Sequence, residues 1–186
     1  MQGRVRVHRL NVEGDRQSDL SVHGGAEKAV YAYPSEHYEY WGRELPGPAL
    51  PWGAFGENFT TEGLREEDVR IGDRLRVGSA EFVVTQPRMP CYKLGVRFGR
   101  DDMVKRFLKS GRTGFYLAVS REGEVASGDR IEFVSRSDHD VTVAEISALY
   151  TRDADNQGLL RRAVELAALP ESWRAYFRKR LWEPDS

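Results

Sequence analysis

The segment QPRMPCYKLGVRF, residues 86–98, holds the only cysteine of the chain. Cys91 follows Pro90 directly, Pro87 lies just upstream, and Arg88, Lys93 and Arg97 stand close by in sequence. A thiolate is the nucleophile or the metal ligand, and neighbouring cations favour it over the thiol. Proline fixes its own φ and holds the preceding residue extended, so Pro90 would set the sulfur on a stiff piece of backbone. The bland reading is a small buried hydrophobe, which needs neither the prolines nor the cations.

A second stretch, GDRQSDLSVHGGAEKAVYAY (residues 14–33), gathers Arg16, Gln17, Asp19, His23 and Lys28 around the pair Gly24-Gly25. Paired glycines let backbone amides approach a ligand and can form an anion-binding concavity; a polar loop with a turn is the plainer account. In FGENFTTEGL (residues 55–64), Asn58 offers an amide to a heterocycle and Glu57 a carboxylate to an amine. SGRTGFYL (residues 110–117) sets Arg112 between two glycines. Each is equally readable as a loop without a ligand. The chain lacks a His-Glu-x-x-His helix, a Cys-x-x-Cys pair, a Walker loop, a Rossmann fingerprint and a Gly-x-Ser-x-Gly elbow. Zinc, nucleotide and serine-hydrolase readings are therefore disfavoured. A Cys-His pair of Cys91 with His23 stays open, since such partners need not be neighbours in sequence.

Short apolar alternations must position these groups. GRVRVHRL, KAVYAY, DRLRVG, AEFVVTQ, FYLAVS and DRIEFVS carry the β-branched and aromatic content of strands, separated by glycine turns. Many short strands with frequent turns predict a barrel or sandwich and not a doubly wound sheet. IGDRLRV and SGDRIEF both place Gly-Asp before a strand, the glycine free to take positive φ and the aspartate free to cap its turn. Two helices interrupt the β region: PSEHYEYWGREL, with Ser35 as N-cap, and RDDMVKRFLKSGR, ending at Gly111. The apolar stripes of both read as core packing. After residue 137 the pattern becomes helical. TVAEISALY, NQGLLRRAVELAAL capped by Asn156, and PESWRAYFRKRL opening on Pro170 give three short amphipathic helices. The expected organisation is a mainly β domain over residues 1–137, with interspersed helices, and a three-helix subdomain over 138–186. So small a helical unit needs the barrel or a partner to pack on.

Composition excludes several classes. With 186 residues, 40% hydrophobic and 31% charged, the chain has the makeup of a globular protein. Its 28 basic and 29 acidic residues nearly cancel, so duplex DNA binding is not expected. No apolar run reaches the roughly 18 residues of a membrane helix, and the N-terminus does not read as a signal peptide. One cysteine precludes an internal disulfide, which fits a reducing cytoplasm.

Taken in order, GDRQSDLSVHGGAEKAVYAYPSEHYEYW, FGENFTTEGL, IGDRLRVGSAEFVVTQPRMPCYKL and GRTGFYLAVSREGEVASGDRI resemble the MOSC domain. With the helical piece that follows, the chain is similar to the stand-alone bacterial YiiM-type members of that family over nearly its whole length. Pro-Arg-x-Pro-Cys is the most telling segment. The resemblance implies a β-barrel that binds the molybdenum cofactor, a pterin dithiolene with a phosphate tail. It matches Cys91 to the family cysteine that ligates molybdenum or carries sulfur. It implies reductive detoxification of N-hydroxylated base analogues such as 6-N-hydroxylaminopurine, with electrons from a separate protein, and it allows a homodimer. Such members carry a further strand ahead of the one matching GRVRVHRL, which this sequence does not display. Under this reading Arg16, Lys28, Arg88 and Arg112 are candidates for the phosphate, and Asp19, His23 and Asn58 for the pterin edge. The rival readings are a non-catalytic carrier of cofactor or sulfur on Cys91, a Cys-His hydrolase, and an inert barrel.

Overall fold

A curled six-stranded sheet forms the frame, in a computed structural model that describes residues 3–14 and 25–182. The strands in chain order are β1 (Val5–Val7), β2 (Val30–Pro34), β3 (Phe59–Thr61), β4 (Arg74–Val77), β5 (Ala80–Pro87), β6 (Phe115–Arg121), β7 (Gly123–Val125) and β8 (Ile131–Ser135). The large sheet runs β3-β2-β6-β5-β4-β8, and β1 pairs with β7 in a separate two-stranded ribbon. All pairings are antiparallel except β2 with β3. Register shifts in β5, at Glu81/Phe82 and Val84/Gln86, curl the sheet into a half-barrel, as bulges do.

The two Gly-Asp turns behave as the sequence predicts. Gly72 and Gly128 take φ of 87° and 88°, while Asp73 and Asp129 accept from the backbone amides of Arg70 and Ala126. Helix α1 (Glu36–Glu44) lacks its expected cap, because Ser35 turns its hydroxyl to the Glu36 carboxylate. Helix α2 (Tyr92–Phe98) was not foreseen: a seven-residue helix begins immediately after Cys91. Its interior Gly95 is a poor helix former, but a side chain there would meet the Arg100 carbonyl at 2.9 Å. Helix α3 (Met103–Ser110) ends at Gly111 in the left-handed conformation, as expected.

The C-terminal segment forms α4 (Val143–Thr151), α5 (Gln157–Val164) and α6 (Glu171–Trp182). Thr142 and Glu145 form a capping box on α4, and Asn156 caps α5 through Leu159 N–H. Pro170 opens the last helix, its carbonyl receiving Trp173 N–H.

Two cores lie on opposite faces of β2, whose residues alternate between them. Val30 and Ala32 join an aliphatic core with Phe82, Val84 and Leu117 of the sheet and Ile146, Leu149, Leu160 and Phe177 of the helical unit. Tyr31 and Tyr33 join an aromatic core with Tyr38, Trp41, Phe55 and Phe107. The aliphatic core is continuous between sheet and C-terminal helices, so burial of apolar surface ties the two together. Truncating a side chain such as Phe177 there would cost about 3–5 kcal/mol.

Candidate functional site

Cys91 stands at the N-terminal boundary of α2, in extended backbone, and its side chain is part-exposed. It lines a cavity of about 370 Å³ between the end of β5 and the C-terminal helices. Gln86, Pro87, Met89 and Pro90 form one stretch of wall, Lys28 and Tyr116 another, and Tyr150, Ser172, Trp173 and Tyr176 complete it from α4 and α6. The bulge at Val84/Gln86 sets Gln86 opposite Tyr116 in the ladder, which brings two polar groups to the same place. Burial raises the Tyr116 phenol above its usual range against the opposing pull of Arg88. The phenol keeps its proton at neutral pH with or without that shift, and it lies within electrostatic reach of Cys91.

The structure divides the sequence candidates. Cys91 and Lys28 share the cavity. Arg88 turns toward the aromatic core, its guanidinium 5.2 Å from the Tyr31 ring and 5.4 Å from Phe107, and reaches the site through its hydrogen bond to Tyr116. Arg97 points elsewhere, donating to the Gly53 carbonyl at 2.8 Å. Asn58 holds the scaffold: its side-chain oxygen accepts from Tyr31 N–H at 2.8 Å, while its own N–H donates to the Tyr31 carbonyl. Glu57 is likewise engaged by the Tyr38 hydroxyl, Gly53 N–H, Phe55 N–H and Thr60 hydroxyl. Arg112 lies at a second cavity, its guanidinium 4.2 Å from the Tyr40 ring and donating to the Ser110 carbonyl. Arg16, Asp19 and His23 lie outside the described residues.

That second cavity, about 500 Å³, contains a pair that sequence reasoning missed. His37 Nε2 and Glu66 Oε2 are 2.6 Å apart, and both side chains are buried. Glu66 Oε1 also accepts from Gly114 N–H at 2.6 Å. Gly114 takes φ of 66°, and a Cβ there would meet the Ala32 carbonyl at 2.5 Å, so only glycine admits this contact. His37 and Glu66 are 29 residues apart and neither sits in a recognisable motif.

Residues 19–132 match the MOSC domain, and residues 141–182 match the YiiM-like 3-alpha helix domain. The chain belongs to the MOSC domain family. It is 46% identical over 176 residues to YflK of Bacillus subtilis (strain 168), covering 95% of this chain and 79% of that protein. The crystal structure of YiiM from Escherichia coli superposes with a TM-score of 0.86 at 36% identity, covering 98% of this chain and 87% of that one. A protein named "Reductase" from Gibberella moniliformis (strain M3125 / FGSC 7600) is 38% identical over 137 residues, covering 72% of this chain but 24% of its own length. The half-barrel and helical extension are thus the family's own architecture. MOSC domains are generally associated with the molybdenum cofactor, so the cavity must be tested against that group. Among the described residues no cluster of three or more His, Cys, Asp or Glu side chains is placed to hold a metal ion. A single soft sulfur in a cavity wall that also includes Lys28 suits a metal that arrives already chelated by an organic, anionic group. The residues present fit the cofactor. No helix is long and apolar enough to cross a membrane among the described residues.

Proposed function

We propose that this chain binds the molybdenum cofactor in the Cys91 cavity and serves as the reducing component for N-hydroxylated bases such as 6-N-hydroxylaminopurine. The observation that carries the reading is the part-exposed Cys91 sulfur in a concave wall shared with Lys28 and a protonated tyrosine. The reductase name of one relative supports it. The bound cofactor would supply two-electron redox chemistry. Cys91 would contribute the protein's soft ligand, held in place by Pro90 and by the start of α2. Lys28 would attract the cofactor's negative charge or orient the substrate. Tyr116, a phenol that is neutral at physiological pH, would hold a proton at the cavity wall. The net reaction takes two electrons and two protons, breaks the N–O bond, and releases amine and water. The electrons come from a separate donor protein, since no flavin or iron–sulfur motif stands in the sequence.

The test is metal analysis of wild type and Cys91→Ala, both produced in cells that make the cofactor, together with reduction of 6-N-hydroxylaminopurine under a supplied electron donor. The reading expects molybdenum and turnover in the wild type and loss of both in the variant. Wild type without molybdenum, or a variant with full content and turnover, sinks it. A persulfide on Cys91 with no turnover would instead make the chain a sulfur carrier.

A further inference from the structure

We propose that the C-terminal helical unit supplies the substrate side of the cavity, with Tyr150 and Tyr176 stacking on a planar purine-like base and the Gln86 amide reading its edge. This rests on the reading of the cavity as a cofactor site, and it assigns the part of the wall that the cofactor does not require.

The amide comes first. Trp173 Nε1 lies 2.5 Å from Gln86 Oε1. An indole N–H only donates, so the amide oxygen must face it and the orientation of Gln86 is fixed. The Nε2 group is then left with two N–H donors and no partner among the described residues, on a residue that is 3% exposed and lines the cavity. Buried polar groups nearly always have partners, and the exceptions call for an explanation. A ring nitrogen or carbonyl on the edge of a bound heterocycle is the acceptor this donor lacks.

The aromatic wall supplies the second argument. Tyr150 and Tyr176 are 40% and 38% exposed, with ring centroids 5.3 Å apart, and Tyr150 lies 5.6 Å from Trp173. Large rings left uncovered in a concavity of this size are the usual lining of a small-molecule site. Their position in the chain separates substrate from cofactor. Tyr150, Trp173 and Tyr176 all fall in the helical match at 141–182 and not in the MOSC match at 19–132. A cofactor grip common to MOSC domains must be built from the matched β region. Groups contributed by the added helices, including the one that orients Gln86, suit a ligand particular to chains with this extension.

The test uses protein made in cells unable to synthesise the cofactor, titrated calorimetrically with 6-N-hydroxylaminopurine and, separately, with neopterin. Tyr176→Ala and Tyr150→Ala are each expected to weaken purine binding roughly fivefold and to leave neopterin unaffected. Gln86→Glu keeps the acceptor for Trp173 but removes the donor, and is expected to weaken the purine roughly tenfold. If Gln86→Glu does not fold, the two part-exposed tyrosines carry the test. Absence of purine binding in the wild type overturns the proposal. Unchanged purine affinity in the tyrosine variants does the same, and so does a loss that falls on neopterin instead. Because these titrations contain no molybdenum, their outcome is independent of whether Cys91 retains metal.

Discussion

Two cavities among the described residues treat polar groups in opposite ways. The larger, about 500 Å³, holds more charge: His37, Glu66 and several arginines line it. Yet its buried carboxylate is engaged on both oxygens, by His37 and by Gly114 N–H. Its arginines are occupied too, Arg43 by Glu39, Arg65 by Glu67 and Asp68, and Arg112 by the Ser110 carbonyl and the Tyr40 ring. The smaller cavity, about 370 Å³, carries a part-exposed thiol, an amide nitrogen without a partner among the described residues and two part-exposed tyrosines. On the proposed function, size and charge do not mark the binding site. Bonds not yet made mark it, because a satisfied buried network stabilises one conformation and offers a ligand fewer open partners.

Exchanging the two sites' central residues tests that contrast most severely. Cys91→Ala should lower molybdenum content at least about tenfold, while stability moves by no more than about 1 kcal/mol, because the side chain is part-exposed. Metal analysis and urea unfolding on the same samples read both. Glu66→Ala should do the reverse. Removing one partner of a buried pair leaves His37 and Gly114 N–H unpaired, at about 3–5 kcal/mol. Metal content per folded molecule should not change. A Glu66 variant that folds normally but loses metal would erase the distinction between the cavities.

A smaller effect comes from the tyrosines between them. Burial raises the phenol pKa values of Tyr31, Tyr33 and Tyr116 above the unfolded value near about 10. Above that pH the unfolded chain releases protons that the folded chain retains, so unfolding is favoured and stability falls as pH rises. The tyrosines should leave stability level between about pH 7 and ~9 and make it decline progressively above ~10. Tyr116→Phe should make the decline shallower without altering the plateau slope, as equilibrium unfolding at stepped pH would reveal. A decline equally steep in the variant would show that Tyr116 titrates normally.

What the sequence made legible follows from the range of the forces involved. Period-2 alternation, Gly-Asp turns and helix caps are local, and β4, β5, α3 and α5 stand where their residues predict. Cys91 with its prolines was equally local, and Lys28 joins it in the cavity. The helix at Tyr92–Phe98 was hidden because its interior Gly95 argues against helix until the Arg100 carbonyl is seen beside it. Asn58 looked like a ligand group because an amide in a glycine-rich loop gives no sign that the amide and carbonyl of Tyr31, 27 residues away, already engage it. The C-terminal helices read only as amphipathic pieces in need of a surface to pack on, and the fold buries Trp173 and Phe177 while leaving Tyr150 and Tyr176 part-exposed. Sequence shows which face of a helix is apolar, and only tertiary packing decides how much of that face is covered.

Arg112 gives the finest test of the comparison. Between two glycines it has the sequence setting of an anion ligand, and the fold places it on the satisfied side of the molecule. Its guanidinium lies over Tyr40 and donates to Ser110, at a partly exposed position where such a contact is worth about 0.5–1 kcal/mol. Arg112→Ala should therefore lower stability by that amount and leave molybdenum content at the wild-type level. Lys28→Ala should reduce content measurably with little change in stability, since Lys28 shares the wall with Cys91. If the two substitutions trade outcomes, the cofactor's anionic end reaches the other cavity, and the division between a satisfied site and an unsatisfied one is drawn in the wrong place.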